Sequence, residues 1–169
     1  MSSVVDKIWA TLEPLTDPEI PVVTLRELGI LREVRETPAG IEVVITPTYN
    51  ERDNVARLVH ALQSEFARVP RHEWHHLVVD DASPDGTADI VRELQPAHSR
   101  LHLLIGPRQG LGAAYVRGMQ HAMDVLGADV VYEMDADFSH RPADLPRLLR
   151  EIECGADFVI GSRYVEGGS

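Results

Sequence analysis

Val130-Val131-Tyr132-Glu133-Met134-Asp135-Ala136-Asp137 is the stretch on which the fold reading turns. A short apolar, β-branched run, Val130 to Tyr132, has strand character and gives way to two carboxylates spaced i, i+2. The same punctuation recurs along the chain. Ile41 to Ile45 runs into Pro47-Thr48-Tyr49-Asn50-Glu51, and His76 to Val79 runs into Asp80-Asp81-Ala82-Ser83-Pro84-Asp85-Gly86. Leu101 to Ile105 stops at Gly106-Pro107, and Phe158 to Ile160 runs into Gly161-Ser162-Arg163-Tyr164.

Helical stripes lie between these runs. Val55, Leu58, Val59, Leu62 and Phe66 fall on one face, as do Ala88, Val91 and Leu94. Tyr115, Met119, Ala122 and Leu126 mark a third helix, and Leu145, Leu148, Leu149 and Ile152 a fourth. Five short strands alternating with amphipathic helices predict an α/β fold: a doubly wound, mostly parallel sheet covered on both faces. Ligands of such sheets sit beyond the carboxyl ends of the strands, where the polar motifs fall.

Composition narrows the function. The 169 residues suffice for one ordinary domain with a core, and 44% apolar with 25% charged is the balance of a globular protein. A net charge of −11 excludes a nucleic-acid binder, which needs a basic surface, and disfavours simple electrostatic docking on anionic lipid. The single cysteine, Cys154, allows no internal disulfide and no cysteine zinc cluster, and a packed core thiol is the expectation for it. The histidines are scattered and suggest no metal site; the adjacent His75 and His76 open a strand that sends them to opposite faces. No apolar run approaches the roughly 20 residues of a membrane span, and the N-terminus lacks a signal peptide's apolar stretch, so a cytoplasmic location is expected.

Asp135 and Asp137 are the sharpest chemical feature. Carboxylates at i and i+2 of extended chain project to one side, and two hard oxygen donors so placed can hold Mg²⁺ or Mn²⁺ with positions left for diphosphate oxygens. An isolated Asp-x-Asp is usually a pair of solvated loop acids; the place of this pair at the end of an apolar strand favours the metal reading. Asp81 at another strand end can accept hydrogen bonds from a base or ribose, whereas Ser83 and Asp85 are expected to shape a turn and cap a helix. Gly106 to Gly112 is a weaker signal: Gly110 lets backbone approach a ligand at a helix start, and Arg108 beside it suits a phosphate. Arg163, beyond the last strand, could meet a phosphate through both arms of its guanidinium.

Residues 41–169 resemble family-2 glycosyltransferases of the GT-A fold. The resemblance rests on Pro47 to Glu51, Val79 to Thr87, Gly110-Leu111-Gly112, Asp135 to His140 and Gly161 to Tyr164, in that order. The Ser83-Pro84-Asp85-Gly86-Thr87 and Asp135-Ala136-Asp137-Phe138-Ser139-His140 forms look like dolichol-phosphate and polyprenol-phosphate mannose synthases. The resemblance implies that Pro47, Tyr49, Glu51 and Asp81 hold base and ribose. It implies that Asp135, Ala136 and Asp137 meet the metal and the donor diphosphate, with Asp137 the catalytic residue, and that Arg163 meets the acceptor phosphate. The implied reaction carries mannose from GDP-mannose to a polyprenyl or dolichyl phosphate with inversion, and the lipid acceptor implies peripheral contact with the cytoplasmic face of a membrane. Relatives continue past the point matching Ser169, which implies a C-terminally truncated domain and little transfer by this chain alone.

Residues 4–49 resemble a different family, the small α/β domain of iron–sulfur assembly factors and of the PaaD-like subunit linked to phenylacetyl-CoA oxygenase. Asp17-Pro18-Glu19-Ile20-Pro21, Glu27-Leu28-Gly29-Ile30 and Thr46-Pro47-Thr48-Tyr49 carry it, but the expected Cys-Pro is replaced by Asn50-Glu51. The two resemblances meet at Pro47-Thr48-Tyr49. The expectation is a fusion, with residues 1–40 a partial PaaD-like extension: a helix on Val5, Ile8, Trp9 and Leu12, then a strand at Ile30 to Arg35. The alternative function is an accessory protein acting through protein contacts.

Overall fold

The computed structural model describes residues 40–162, together with Pro14. The expected N-terminal helix and strand, and Arg163, lie outside the described residues. Four strands form one parallel sheet: β1 (Ile41–Thr48), β2 (Glu73–Asp80), β3 (Leu101–Ile105) and β4 (Val130–Glu133), in the spatial order β3-β2-β1-β4. Four helices connect or follow them: α1 (Arg52–Phe66), α2 (Thr87–Leu94), α3 (Leu111–Asp124) and α4 (Leu145–Glu153). The expected α/β, doubly wound sheet is there.

Period-2 alternation assigns β1 to two cores. Val44 packs with Leu58, Leu62, Leu145 and Leu149 of α1 and α4, while Val43 and Ile45 pack with Ala114 and Ala122 of α3 on the other face. Val55 and Val59 of α1 also join Val78 and Val91, so α2 shares the α1 face. The chain leaves β1 toward β2 and β3, then returns to place β4 on the opposite side of β1. That reversal makes the carboxyl ends of β1 and β4 the switch point where such sheets open a crevice.

Proline is rare in a central strand because it cannot donate to the ladder. Here Ile45 O accepts from Met134 N and Thr48 O accepts from Asp81 N, so odd-numbered residues of β1 address β4 and even-numbered ones β2. Pairing with β4 ends at Ile45 and Glu133, so the missing N–H of Pro47 faces a stretch with no ladder to complete.

Three expectations need correction. Phe158 to Ile160 is irregular rather than a fifth strand, with Phe158 60% and Ile160 72% exposed. Periodicity does not decide so short an apolar run: Val130 to Tyr132 pairs with β1, whereas Phe158 to Ile160 pairs with no strand among the described residues. β2 begins at Glu73, because its register with β1 starts at Ile41 and Glu73. Cys154 is exposed, since it caps the C-terminus of α4 outside the buried stripe of Leu145 and Leu149.

Candidate functional site

The polar motifs converge on the carboxyl edge. At the end of β1, Asn50 adopts φ 61°; after β2, Ala82 adopts φ 54°; after β4, Phe138 adopts φ 66°. These are the only non-glycine residues with positive φ among those described, and all three follow strands at the same edge. Backbone held in a disfavoured region marks loops whose shape the surroundings dictate, as at ligand sites.

The loop after β2 is built from its own side chains. Asp80, fully buried, accepts from Thr48 Oγ1 (2.9 Å), Ser83 N (2.8 Å) and Ser83 Oγ (2.6 Å). Asp85 accepts from the first amides of two helices, Arg52 N of α1 (3.1 Å) and Thr87 N of α2 (3.0 Å), and from Thr87 Oγ1 (2.6 Å). Burial alone would raise the Asp85 carboxyl; the bonds from Thr87 and Arg52 more than offset it and hold the group below the usual carboxylate range. Ser83 Oγ also receives Asn50 N at 3.0 Å. Ser83 and Asp85 thus tie the β1 and β2 loops together.

Asp81 is buried and pairs with Arg117 of α3. Gly106 at the end of β3 makes room: a β-carbon there would lie 2.5 Å from the Arg117 guanidinium carbon. Tyr49 and Arg108 are brought together, the guanidinium 3.8 Å from the ring centroid. Glu51 leads into α1; its carboxylate accepts from Asn54 Nδ2 at 2.8 Å and its amide donates to Thr87 Oγ1 at 3.1 Å. Gly110 precedes α3 with φ 95°, a conformation that suits glycine.

After β4, Ala136 is buried in the α1–α4 core, while Asp135 is part-exposed and Asp137 exposed. Ala136 and Asp137 lie in a turn rather than in extended chain. Asp135 Oδ1 accepts from Tyr115 OH of α3 at 2.9 Å, and Asp137 Oδ1 from Ser139 N at 2.9 Å. The Ser139 amide and hydroxyl hold Asp137 below the usual carboxylate range. Burial, then the charge of Asp135, push the Tyr115 phenol well above its ordinary value, so it remains a donor.

The donor set fits a hard divalent cation: two carboxylates from one turn, acting together with oxygens from a ligand. Among the described residues no three histidine, cysteine or acidic side chains converge on a closed metal cage. A groove of about 460 Å³ beside the β2–α2 loop is lined by Asp80, Ser83, Asp85, Arg92 and Ile105 among others, but by none of Asp81, Asp135 and Asp137. The candidate site is therefore defined by the strand ends, with Asp81 and Asp135 on opposite sides of β1 and separated by two strand spacings, roughly 10 Å. Sequence reasoning read Tyr115 as a core residue and passed over Arg117 and Thr48. The Ala114, Gly118, Ala122 spacing was the missed signal, since small residues at i, i+4 and i+8 bring a helix close to its sheet.

The family model for glycosyl transferase family 2 matches residues 43–169. Polyprenol monophosphomannose synthase of Mycolicibacterium smegmatis is 45% identical over 134 residues, covering 78% of this chain and 48% of that protein. Undecaprenyl-phosphate mannosyltransferase of Micrococcus luteus is 43% identical over 127 residues, covering 75% and 49%. The chain spans about half the length of these curated relatives. Among solved structures, the mannosyltransferase PcManGT from Pyrobaculum calidifontis, in complex with GDP-Man and Mn²⁺, has a TM-score of 0.49 and 24% identity, covering 79% of this chain and 35% of that one.

Proposed function

This chain belongs to glycosyl transferase family 2, and from that premise we propose that it binds GDP-mannose with Mg²⁺ or Mn²⁺ for inverting transfer of mannose to a polyprenyl or dolichyl phosphate. One observation carries the reading: the Asp135–Asp137 turn lies at the switch point, beside the β1 end that bears Tyr49 and Glu51 and across β1 from Asp81. The names of the two mannosyltransferase relatives support the choice of sugar and acceptor.

In this reading Asp81, with Pro47, Tyr49 and Glu51, receives the base and ribose. Arg108 and the Gly110 backbone face the diphosphate, and Arg163 takes the acceptor phosphate. Asp135 and Asp137 hold the cation, which when bound stabilises negative charge on the departing diphosphate. A phosphate monoester is already anionic at neutral pH, so the acceptor needs no side chain to deprotonate it. The protein's task is then to hold donor and acceptor in line. In this reading the protein works in the cytoplasm and meets its lipid acceptor at the membrane face; among the described residues no helix is long and apolar enough to cross the bilayer. We read residues 1–40 as a fused extension that resembles part of a PaaD-like domain. The iron–sulfur accessory reading gains no support: Asn50-Glu51 replaces the Cys-Pro, and Cys154 lies far along the chain on the end of α4.

Calorimetric titration of the full chain with GDP-mannose, with Mn²⁺ and again with EDTA, tests the proposal. Binding that strengthens with Mn²⁺ is expected; no heat in either condition would overturn it.

A further inference from the structure

Helix α3 reaches two strand ends at once. Its Tyr115 hydroxyl donates to Asp135 at 2.9 Å after β4, and Arg117, two residues on, pairs with Asp81 after β2. Side chains two apart on a helix diverge, and α3 packs over β1, the strand that separates β2 from β4. The helix is seated closely: a β-carbon on Gly118 would lie 2.7 Å from Ile45 Cγ2 and 3.0 Å from Val79 Cγ2. Two carboxylates on loops of non-adjacent strands therefore hang from one rigid element.

Neither contact looks like core packing. Tyr115 spends its only polar atom on a carboxylate that is part-exposed and otherwise approached by His140 Nδ1 at 3.9 Å. Arg117 places its guanidinium where Gly106 leaves space and turns it toward the Asp81 carboxylate.

Resting on the functional reading above, we propose that Tyr115 and Arg117 are positioning residues: Tyr115 orients Asp135 for the cation, Arg117 orients Asp81 for the nucleoside, and α3 fixes the distance between the two ends of the nucleoside diphosphate. Each residue acts through a carboxylate, so each governs a different part of binding. Tyr115 governs the gain in affinity that the metal brings. Arg117 governs the affinity that remains without metal.

The test is GDP affinity of the full chain by calorimetry, in EDTA and in Mn²⁺, with a thermal midpoint for each variant. Tyr115→Phe is expected to reduce the Mn²⁺-dependent gain about tenfold, the scale of one hydrogen bond to a charged group, while leaving the EDTA value in place. Arg117→Ala is expected to reduce the EDTA value about tenfold while the ratio between the two conditions is kept. Arg117→Lys, which keeps the charge, recovers part of that loss and replaces the alanine variant if the latter fails to fold. Gly106→Ala, which displaces the guanidinium, reproduces the Arg117→Ala pattern. Variants that bind as wild type does, or that shift both quantities together, overturn the proposal alone. A wild-type chain that binds no GDP overturns the functional reading and this proposal with it.

Discussion

Thr48 and Asp80 end β1 and β2 as register partners, and the Thr48 hydroxyl donates to Asp80 Oδ1 at 2.9 Å with both residues buried. Asp80 is thereby committed to holding the two strand ends and the Ser83 turn together, whereas its neighbour Asp81 pairs with Arg117 of α3. Asp80→Ala would strand three donors, one of them the Thr48 hydroxyl. A loss of about 3 kcal/mol is expected, since the buried Thr48 hydroxyl carries a full desolvation cost and the part-buried Ser83 donors a smaller one. Urea denaturation checks it, as a fall in the midpoint with an unchanged slope.

Asp137→Ala should remove most of the Mn²⁺-dependent affinity for GDP-mannose and leave the thermal midpoint close to wild type, because the side chain is exposed and its bond is to the Ser139 amide of its own loop. Titration with Mn²⁺ against titration with EDTA measures it. Equal affinity in the two conditions for the unaltered chain would remove the metal from the reading.

His76 predicts an acid-side loss of stability. Burial, with a smaller contribution from the charge of His102, lowers its imidazole from 6.5 to about 3. The unfolded chain then binds a proton that the folded chain refuses between those values. Stability from this group is complete above pH 6.5 and falls as pH drops toward 3, by up to about 1.4 kcal/mol per pH unit. Glu42, whose carboxyl is pushed up by burial, works in the opposite direction above pH 4.5. Urea midpoints across pH 6.5 to 4 for wild type and His76→Leu isolate the histidine, and the variant should show the shallower slope.

Gly118→Ala sets two magnitudes against each other. Alanine favours a helix by about 1 kcal/mol. Overpacking against Ile45, fully buried and 2.7 Å from the new carbon, costs about 1–3 kcal/mol. A net loss of about 1 kcal/mol is expected, visible as a lower thermal midpoint.

A chain beginning at Gly40 should keep the sheet. Gly40 O accepts from Glu73 N and Ile41 N donates to Asp129, so the start of β1 is secured from within the domain. A single cooperative thermal transition in the shortened chain is the expected result. Its loss would show that residues 1–39 are structural.

The four helices are legible because their apolar patterns are long enough to have a period, as in Val55 to Phe66, and the four strands because apolar runs stop at polar or glycine-proline motifs. Val130 to Tyr132 and Phe158 to Ile160 look alike in sequence, and only the pairing of the first with β1 makes it a strand. The acids at the strand ends stood out as polar residues directly after apolar runs. Tyr115 and Arg117 did not, because their meaning lies in Asp135 and Asp81, which are 20 and 36 residues away along the chain. Asp80 and Asp81 are alike in sequence, and only Thr48, opposite one of them, tells the scaffold acid from the other.

Asn50, Ala82 and Phe138 also make the carboxyl edge sensitive to handedness. At φ values of 54° and 66° Ala82 and Phe138 work against their own chirality, at a cost of about 1–2 kcal/mol each, while asparagine at 61° is better suited to the region. A D-alanine at position 82, introduced by chemical ligation, would adopt that backbone as its own preferred state. The loop would keep its shape and shed its strain, and unlike a glycine the D-residue would grant the unfolded chain no extra freedom. Mirror-image substitution at this one position therefore separates the cost of the turn from the use the turn is put to.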